Sequence, residues 1–247
     1  MSDEDKKPKP LDFEGKSAEE VINWASNCFD NKLTLAFSGQ AEDCVILDMF
    51  HKIRGKDIDV FMLDTGRINN EVYDLVEEIR SKYGLQVKSC TPDSKEVENM
   101  VQKYGVNLFY KSPEYRIICC SVRKVNVLKR VLGEYDAWIS GVRRAQIATR
   151  SNTRKVQIDS QFNLVKVSPI ADWTWKQVWD YVRSNKIPYC SLYDKGYTSI
   201  GCAPCTKPTF LKGENVSEED LRKGRWWWEN EKETKECGLH YSHENKA

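Results

Sequence analysis

The sequence predicts an α/β fold built on a mainly parallel, doubly wound sheet. Short runs rich in β-branched and aromatic residues alternate with stretches of helical periodicity of roughly 10 to 15 residues, a pattern typical of strand–helix–strand crossover units. The chain has 247 residues, which suffices for one substantial core with a small appendage but not for two full-sized domains. Ligands of such sheets bind beyond the carboxyl ends of the strands, so the loops after the strands form the candidate site.

The elements follow a polar segment over 1–12, which contains two prolines and is expected to be a flexible tail. Ser17 and Glu20 have the spacing of a capping box and predict a helix to about Asn31. Hydrophobic periodicity then predicts strands over 33–37, 58–63 and 85–89, followed in turn by helices over 42–54, 69–83 and 94–104. The later elements predicted in this way are a helix over 122–132, strands over 136–140 and 164–167, and a helix over 174–184. Beyond them the pattern fades, which divides the chain into the tail, an α/β domain over 13–200 and a Cys- and Trp-rich C-terminal segment over 201–247.

The charge balance excludes several classes of partner. The chain has 38 Lys and Arg against 37 Asp and Glu, so it lacks the excess of cations that broad nucleic-acid binding requires. Any anion site must be a local cluster. No run approaches the roughly 18 apolar residues of a membrane span, and the first residues are charged, so we expect neither a membrane anchor nor a secretory signal. The sequence therefore predicts a cytoplasmic protein.

The loop that contains Ser38 and Gly39 lies between a predicted strand and a predicted helix. Small residues let the backbone approach an anion, and the amides at a helix N-terminus donate to it. The loop is not a Walker loop, because it lacks Gly-Lys-Ser/Thr, nor is it G-x-G-x-x-G. The sequence therefore indicates an anion cradle here, with a plain turn as the alternative.

Cations concentrate in two places on this nearly neutral chain. Guanidinium groups are suited to phosphate and sulfate because they donate as a fork, so both clusters are candidate anion sites, with solvated basic loops as the alternative. The clusters are Arg143, Arg144, Arg150, Arg154 and Lys155 after the strand over 136–140, and Arg222, Lys223 and Arg225 before three tryptophans.

The nine cysteines fall into two kinds. Four are isolated in element-like surroundings and are expected to be buried free thiols: Cys28, Cys44, Cys90 and Cys190. Four others form an adjacent pair and a C-x-x-C pair, and their thiolates suit either a tetrahedral zinc ion or a 4Fe-4S cluster: Cys119, Cys120, Cys202 and Cys205. Adjacent cysteines converge poorly on one small ion, which favours the cluster; an incidental C-x-x-C disulfide is the alternative.

Cys237 stands near the end of the chain, with Lys235 two residues before it and His240 three residues after it. Nearby cations lower the pKa of a thiol, and the thiolate is the effective nucleophile. The position after the last recognisable element favours a mobile arm that closes over a site. Chemistry alone leaves an inert thiol equally consistent.

Several of these motifs, taken together and in order, resemble the sulfonucleotide reductases, the family of adenylyl-sulfate (APS) and phosphoadenylyl-sulfate (PAPS) reductases of assimilatory sulfate reduction. The resemblance runs from about residue 30 to His240. The principal motifs are Cys119-Cys120-Ser-Val-Arg-Lys124, Gly201-Cys202-Ala-Pro-Cys205, Gly224-Arg225-Trp226-Trp227-Trp228-Glu229 and Lys235-Glu-Cys237-Gly-Leu-His240. Supporting matches are Leu63-Asp64-Thr65-Gly66-Arg67, Gly141-x-Arg143-Arg144-x-Gln146 and Ala171-Asp172-Trp173-Thr174-Trp175.

The resemblance implies an oxidoreductase that converts PAPS or APS to sulfite plus PAP or AMP. Cys237 would attack the sulfur to give an S-sulfocysteine, which thioredoxin or a similar dithiol donor would resolve. The two cysteine pairs would hold a 4Fe-4S cluster that organises and polarises the site, with Lys124 between cluster and phosphosulfate. His240 would help to order the closing arm. A homodimer or homotetramer is also implied.

The resemblance further implies the PP-loop, adenine nucleotide alpha hydrolase-like fold, with the loops after the first two strands as its nucleotide cradle. Together with the cation clusters, this gives the expected set of substrate-binding residues. They are Ser38, Gly39, Leu63, Asp64, Thr65, Gly66, Arg143, Arg144, Arg150, Arg222 and Arg225.

One departure from the family concerns the first loop. The family commonly has Ser-Gly-Ala-Glu-Asp, whereas this chain has Gln40 inserted. The double-cysteine signature usually accompanies APS, but the longer loop and the cations Arg154 and Lys155 would suit a 3′-phosphate, so the sequence leaves APS and PAPS open. The rival functions are a PP-loop tRNA-modifying protein of the thiolation type, with an iron–sulfur or zinc site, and a non-catalytic iron–sulfur redox sensor. The near-zero charge disfavours the first, and the second leaves Cys237 unexplained.

Overall fold

The computed structural model of the protein describes residues 12–210 and 216–229. These residues contain a six-stranded sheet with the strand order β3-β2-β1-β4-β6-β5. The strands are β1 (Leu33–Phe37), β2 (Asp59–Leu63), β3 (Val87–Cys90), β4 (Ala137–Ile139), β5 (Val156–Asp159) and β6 (Leu164–Val167). The pairings are parallel except that β5 runs antiparallel to β6 at one edge. The predicted α/β class with a mainly parallel sheet is confirmed.

Seven α-helices accompany the strands in the part of the chain that the structure describes. They are α1 (Ala18–Phe29), α2 (Ala41–Arg54), α3 (Asn70–Tyr83), α4 (Ser94–Tyr104), α5 (Pro113–Cys120), α6 (Asn126–Leu132) and α7 (Trp175–Ser184). Between α5 and α6 the chain continues without a break through a π-helical turn, Ser121–Val125. None of the described helices is long and apolar enough to cross a membrane.

Local sequence signals explain where the helices begin. The Ser17 hydroxyl accepts a hydrogen bond from the Glu20 backbone amide at 3.1 Å, while the Glu20 carboxylate accepts one from the Ser17 amide at 2.7 Å. This is the capping box that the spacing predicts for α1. Thr174 and Gln177 form the equivalent box at the start of α7. Each box satisfies amides that a helix N-terminus would otherwise leave without a partner.

Apolar side chains cover both faces of the sheet. On one face Leu35 and Ile139, at the centre of the sheet, are fully buried in a large cluster that includes side chains of α1, α2 and α3. On the other face Phe61 and Trp138 pack with residues of α6. A parallel sheet needs this cover on both faces because its strands are apolar on both.

The strand order places a topological switch point at β1. From β1 the chain moves outward through β2 to β3, and it then returns to the other side of β1 as β4 and β6. The loops that leave β1 and β4 therefore diverge at their carboxyl ends and leave a crevice between them.

Three features depart from the predicted elements. The helix predicted over 122–132 is one part of a longer run that starts at Pro113 with α5, and β5 was not predicted at all. The third predicted strand starts at Val87, two residues late. α5 has eight residues and β5 has four, too few for a hydrophobic period to stand out.

The central strands generate a stability prediction. Leu35→Ala removes a fully buried side chain from the middle strand, and we expect it to lower the free energy of unfolding by about 2–5 kcal/mol, because close-packed neighbours cannot fill the cavity. Urea denaturation measures the change. The control is Ile158→Thr on the edge strand, where the side chain is 45% exposed and the change should stay within about 0.5 kcal/mol. Equal effects from both variants would contradict the packing described.

Candidate active site

A cleft of about 1030 Å³, open solvent at its mouth included, lies at the switch point beyond β1, β2 and β4. Its polar wall comes from the loops that the strand order brings together. The polar and glycine residues that line it are Ser38, Gln40, Asp43, Thr65, Lys124, Ser140, Gly141, Arg150, Gly201, Cys202, Arg222 and Arg225. Most of the apolar lining comes from the strands themselves and from α6, including Leu63, Leu128 and Trp138.

The loop after β1 is shaped by Ser38, Gly39 and Asp43. The Ser38 amide and hydroxyl both donate to the Asp43 carboxylate, at 2.8 and 2.5 Å, which closes the loop over the first turn of α2. Gly39 has a φ of +82°, and a Cβ there would lie 3.1 Å from a methyl group of Val72. Only glycine adopts this backbone without strain. Ser38 lines the cleft, whereas Gly39 forms the turn behind it.

Asp43 is a buried carboxyl at the base of the cleft. Burial raises its pKa to about 7, and the hydrogen bonds from Ser38 oppose that rise only in part. Gly141, at the end of β4, packs directly on it, since a Cβ at this glycine would collide with the carboxylate. Asp43 thus joins the loops on the two sides of the switch point.

The loop after β2 contributes Leu63 and Thr65 to the cleft wall. Asp64 and Gly66 form the turn instead: the Asp64 carboxylate accepts from the Gly66 amide at 2.9 Å. Thr65 is fully buried, and its hydroxyl lies 3.3 Å from the Cys202 thiol. The expected cradle residues are therefore together in the structure, but only some of them face the cleft.

Four cations line the cleft: Lys124, Arg150, Arg222 and Arg225. Arg150 is buried and donates to the Gln146 side chain at 2.5 Å. Arg225 is also buried, donates to the Ile200 carbonyl at 2.8 Å and packs on Gly201 so closely that a Cβ there would collide with its guanidinium. These arginines are held rigidly before any ligand binds, which favours recognition of an anion.

Arg143 and Arg144, which were expected to contact the substrate, do not line the cleft. The Arg143 side chain is 0% exposed and donates to the carboxylates of Glu42 at 2.9 Å and Glu218 at 3.1 Å. Arg144 donates to the Thr153 carbonyl at 2.7 Å and pairs with the Glu14 carboxylate. Both guanidinium groups are thus engaged by protein partners outside the cleft lining.

All four paired cysteines line a second, smaller cavity of about 330 Å³ next to the cleft. Their thiols are free, and burial raises the pKa of Cys205 to about 12 and the pKa of Cys119 above its ordinary value. The remaining residues around this cavity, called here the cysteine cavity, are Arg67, Phe109, Arg116, Arg123, Lys124 and Pro204.

The arrangement of the four thiols bears on the choice between a zinc ion and a 4Fe-4S cluster. Among the described residues, no three His, Cys, Asp or Glu side chains converge so that they could hold one metal ion. The four thiols around one cavity are the kind of donor set that a 4Fe-4S cluster uses, because a cluster spreads its ligands over several irons.

Two residues belong to both cavities. Lys124, on the π-helical turn, and Cys202 line the cleft as well as the cysteine cavity. The wall between the two spaces therefore carries one cation and one thiol. Cys237 and His240, the other expected catalytic residues, lie outside the described residues.

The structure also shows residues that the sequence did not single out. Asp43 follows the Ser38 loop in an acidic pair that could have marked it, and Gln146 lies within a quoted motif. Arg123, beside Lys124, donates to the Thr65 carbonyl at 2.6 Å and so links the cysteine motif to the loop after β2. No sequence signal indicates the partner of Arg123, because the two residues are far apart along the chain.

Residues 32–208 match the family model of the phosphoadenosine phosphosulfate reductase domain. The chain belongs to this family. A curated member of the family with similar sequence is the adenosine 5'-phosphosulfate reductase of Allochromatium vinosum, 40% identical over 85% of this chain and 79% of the relative. Adenosine 5'-phosphosulfate reductase 1 of Bacillus subtilis is 39% identical over 94% of both chains. The resemblance seen in the sequence is confirmed.

Solved structures agree with the family and the fold. The phosphoadenylyl-sulfate reductase of Candida auris, solved as a phosphate complex, superposes with a TM-score of 0.66 at 27% identity over 77% of this chain and 90% of that chain. An FMN adenylyltransferase from Candida glabrata gives a TM-score of 0.57 at 16% identity over 81% of this chain and 65% of that chain, which shows a shared fold alone.

The buried carboxyl of Asp43 generates a prediction for this reductase-family chain. Its pKa is about 7 in the folded protein and near 3.9 in the unfolded chain, so the folded state holds the extra proton between these values. Stability should therefore fall as the pH rises from about 4 to about 7 and then level off. Asp43→Asn keeps an acceptor for Ser38 but cannot ionise, so it should gain stability relative to wild type through that window.

Urea denaturation at several pH values measures this difference, which should grow by at most about 1.4 kcal/mol per pH unit. The matched control is Asp57→Asn, at a carboxylate that is 81% exposed, and it should change the free energy of unfolding by no more than about 0.5 kcal/mol. A constant difference for Asp43→Asn would show that the carboxyl does not titrate in this range.

Proposed function

We propose that this chain reduces APS to sulfite and AMP, with Cys237 as the nucleophile. The observation that carries the proposal is the shared wall: Lys124 and Cys202 line both the cationic cleft and the cavity of the four cysteines. An anionic substrate in the cleft would lie directly beside the cysteine cavity. A binding module that only recognises a nucleotide would have no use for this proximity.

The placement of two cations favours APS over PAPS. Arg154 and Lys155 would suit a 3′-phosphate, but neither lines the cleft. The Lys155 ammonium is buried, 2.7 Å from the Asp172 carboxylate, and it donates to the Lys16 carbonyl at 2.5 Å. The curated relatives described above are also named for the nucleotide without the 3′-phosphate.

The first chemical step transfers the sulfonate group to the protein. The Cys237 thiolate attacks the sulfur of APS, a bond forms between the two sulfur atoms, and the bond from sulfur to the phosphate oxygen breaks. AMP leaves with that electron pair, and Cys237 becomes an S-sulfocysteine. The electrons of this step balance without a redox change of a metal.

The second step needs two electrons from a dithiol donor, which we propose to be thioredoxin or a similar protein. One donor thiolate attacks the Cys237 sulfur and displaces sulfite. The other donor thiol then closes the donor's disulfide and releases the Cys237 thiolate. The donor is oxidised, and the sulfonate sulfur leaves as sulfite.

Cations of this chain offset the charge repulsion that opposes the first step. A thiolate, a sulfonate and a phosphate repel one another strongly when water is excluded, so fixed positive charge must offset the repulsion. Lys124 stands at the boundary between cleft and cysteine cavity, and Arg150, Arg222 and Arg225 line the rest of the cleft. Because hydrogen bonds to the Gln146 side chain and the Ile200 carbonyl hold Arg150 and Arg225, little reorganisation is needed when the charges meet.

The four paired cysteines would hold a 4Fe-4S cluster, which when bound would organise and polarise the site beside Lys124. Cys119 and Cys120 reach the cavity from the end of α5, and Cys202 and Cys205 reach it from the short turn over Ala203–Cys205. The homo-oligomeric state and the cytoplasmic location stay predictions from the sequence.

The substrate prediction is tested with the anaerobically reconstituted protein, whose iron and sulfide contents are measured first. Offered APS and PAPS separately, with thioredoxin and its reductase, it should release sulfite from APS at least tenfold faster than from PAPS. A preference for PAPS would contradict the inference that Arg154 and Lys155 do not bind a 3′-phosphate. No sulfite from either nucleotide would overturn the proposed function.

The nucleophile is tested with Cys237→Ser, which should bind nucleotide like the wild type but release no sulfite, because a hydroxyl is a far weaker nucleophile than a thiolate. The matched control is Cys28→Ser, at an exposed free thiol on α1, and it should keep full activity. Sulfite release by Cys237→Ser would place the nucleophile elsewhere.

Lys124→Gln tests the cation on the shared wall. We expect the rate of sulfonate transfer at saturating APS to fall by about 10²–10³, the range found when one charge-stabilising donor is removed from an active site. Rapid-quench kinetics of AMP release measures the rate. Lys129→Gln, at an exposed position on α6, serves as the control and should leave the rate unchanged.

A further inference from the structure

A buried ion pair joins α5 to the last described residue of the chain. The Arg116 guanidinium donates from Nε to Glu229 Oε1 at 2.5 Å and from Nη2 to Oε2 at 3.1 Å. The two side chains are 3% and 2% exposed. This two-pronged contact fixes the orientation of both groups as well as their distance.

The pair lies at the wall of the cysteine cavity. Arg116 lines that cavity and precedes Cys119 by three residues on the same helix. Its guanidinium also stacks on the Trp226 ring, 4.4 Å from the ring centroid. The ring in turn is covered by Arg225, 4.7 Å from the centroid. Cysteine cavity, ion pair and cleft arginine are therefore in one continuous stack.

Glu229 is also the described residue nearest in sequence to Cys237. Cys237 follows it by eight residues, and eight residues span at most about 29 Å when fully extended. The position of Glu229 therefore limits where the thiol can go. For a tethered group, the effective concentration at its target depends on where the tether starts and on its length.

We propose that Arg116 and Glu229 are positioning residues for sulfonate transfer: their ion pair fixes the start of the segment that carries Cys237 relative to the cysteine cavity and the cleft. The inference rests on the function proposed above. Neither residue is assigned a contact with the reacting atoms; both act on the rate through the point from which the chain leads to Cys237.

A second ion pair holds the chain upstream of Glu229, at Glu218. Glu218 accepts from Arg143 at 3.1 Å, and its other carboxylate oxygen accepts from the Trp175 amide. Arg222 and Arg225, which line the cleft, lie between the two glutamates in sequence. The pair at Glu218 thus supports the arginines, whereas the pair at Glu229 determines where the following residues begin.

The alternative explanation is that the Arg116–Glu229 pair only stabilises the fold. The energetics of buried ion pairs allow a positioning role to be distinguished from a stabilising one. Removing one partner leaves an uncompensated buried charge and costs several kcal/mol, but replacing both partners by apolar side chains of similar size is often neutral or stabilising. The double variant Arg116→Met/Glu229→Leu therefore removes the directional contact and leaves a packed core. A purely structural pair would be replaced by it without loss of rate.

The experiment measures sulfonate transfer in a single turnover. Cluster-replete wild type, Glu229→Gln and Arg116→Met/Glu229→Leu are mixed with APS in the absence of donor, and the S-sulfocysteine on Cys237 is quantified over time by mass spectrometry. Nucleotide dissociation constants, iron content and thermal unfolding are measured for each protein. Glu218→Gln is included to compare the two ion pairs.

We expect both variants at Glu229 to transfer the sulfonate at least tenfold more slowly than wild type, with nucleotide affinity within threefold and iron content unchanged. The double variant should remain slow even where its thermal stability equals that of wild type. Glu218→Gln should show the opposite split, with weaker nucleotide binding and a nearly normal rate at saturation.

A wild-type rate in the stable double variant would overturn the inference and leave the pair a structural contact. Loss of iron from both variants would overturn it as well, since the pair would then support the cysteine cavity. Absence of S-sulfocysteine from wild type itself would instead sink the proposed function, so the two failures are distinguishable.

Discussion

The site depends on one buried guanidinium. Arg143 is fully enclosed, and it holds Glu42 at the start of α2, Glu218 in the C-terminal segment and the carbonyl of Trp173 before α7. Three stretches of chain that are remote in sequence meet on this side chain. A charge buried at this depth is tolerated only because two carboxylates and a carbonyl surround it. Without it, the cleft would lose the support of two of its walls.

That support reaches the cleft through Gln146. Its amide nitrogen donates to Glu42 at 3.0 Å, and its amide oxygen accepts from both the Arg143 backbone and the Arg150 side chain. Arg150 lines the cleft, so a chain of buried hydrogen bonds connects the cleft to Arg143. The cleft, the cysteine cavity and the start of the Cys237 segment are thus parts of one connected framework around the switch point of the sheet.

The regular alternation of elements made the α/β class and the positions of most strands and helices predictable from sequence, because each long element shows its own hydrophobic period. The two cysteine pairs were also predicted to share a site, and the structure brings all four to one cavity. The role of Arg143 could not be read in this way. A sequence displays charge but not its partners, and Glu42 and Glu218 lie 101 and 75 residues away.

The π-helical turn after Cys120 has a consequence for the whole C-terminal half of that helical run. One residue in an α-helix corresponds to about 100° of rotation, and a π-turn inserts one extra residue without ending the helix. If Ser121–Val125 kept all its residues but wound as a regular α-helix, α6 would be rotated by roughly that angle. Val127, Leu128 and Leu132 would then turn out of their buried positions. The irregular turn is therefore a phase adjustment: it lets one continuous helical run face the cysteine cavity with its first half and the sheet with its second.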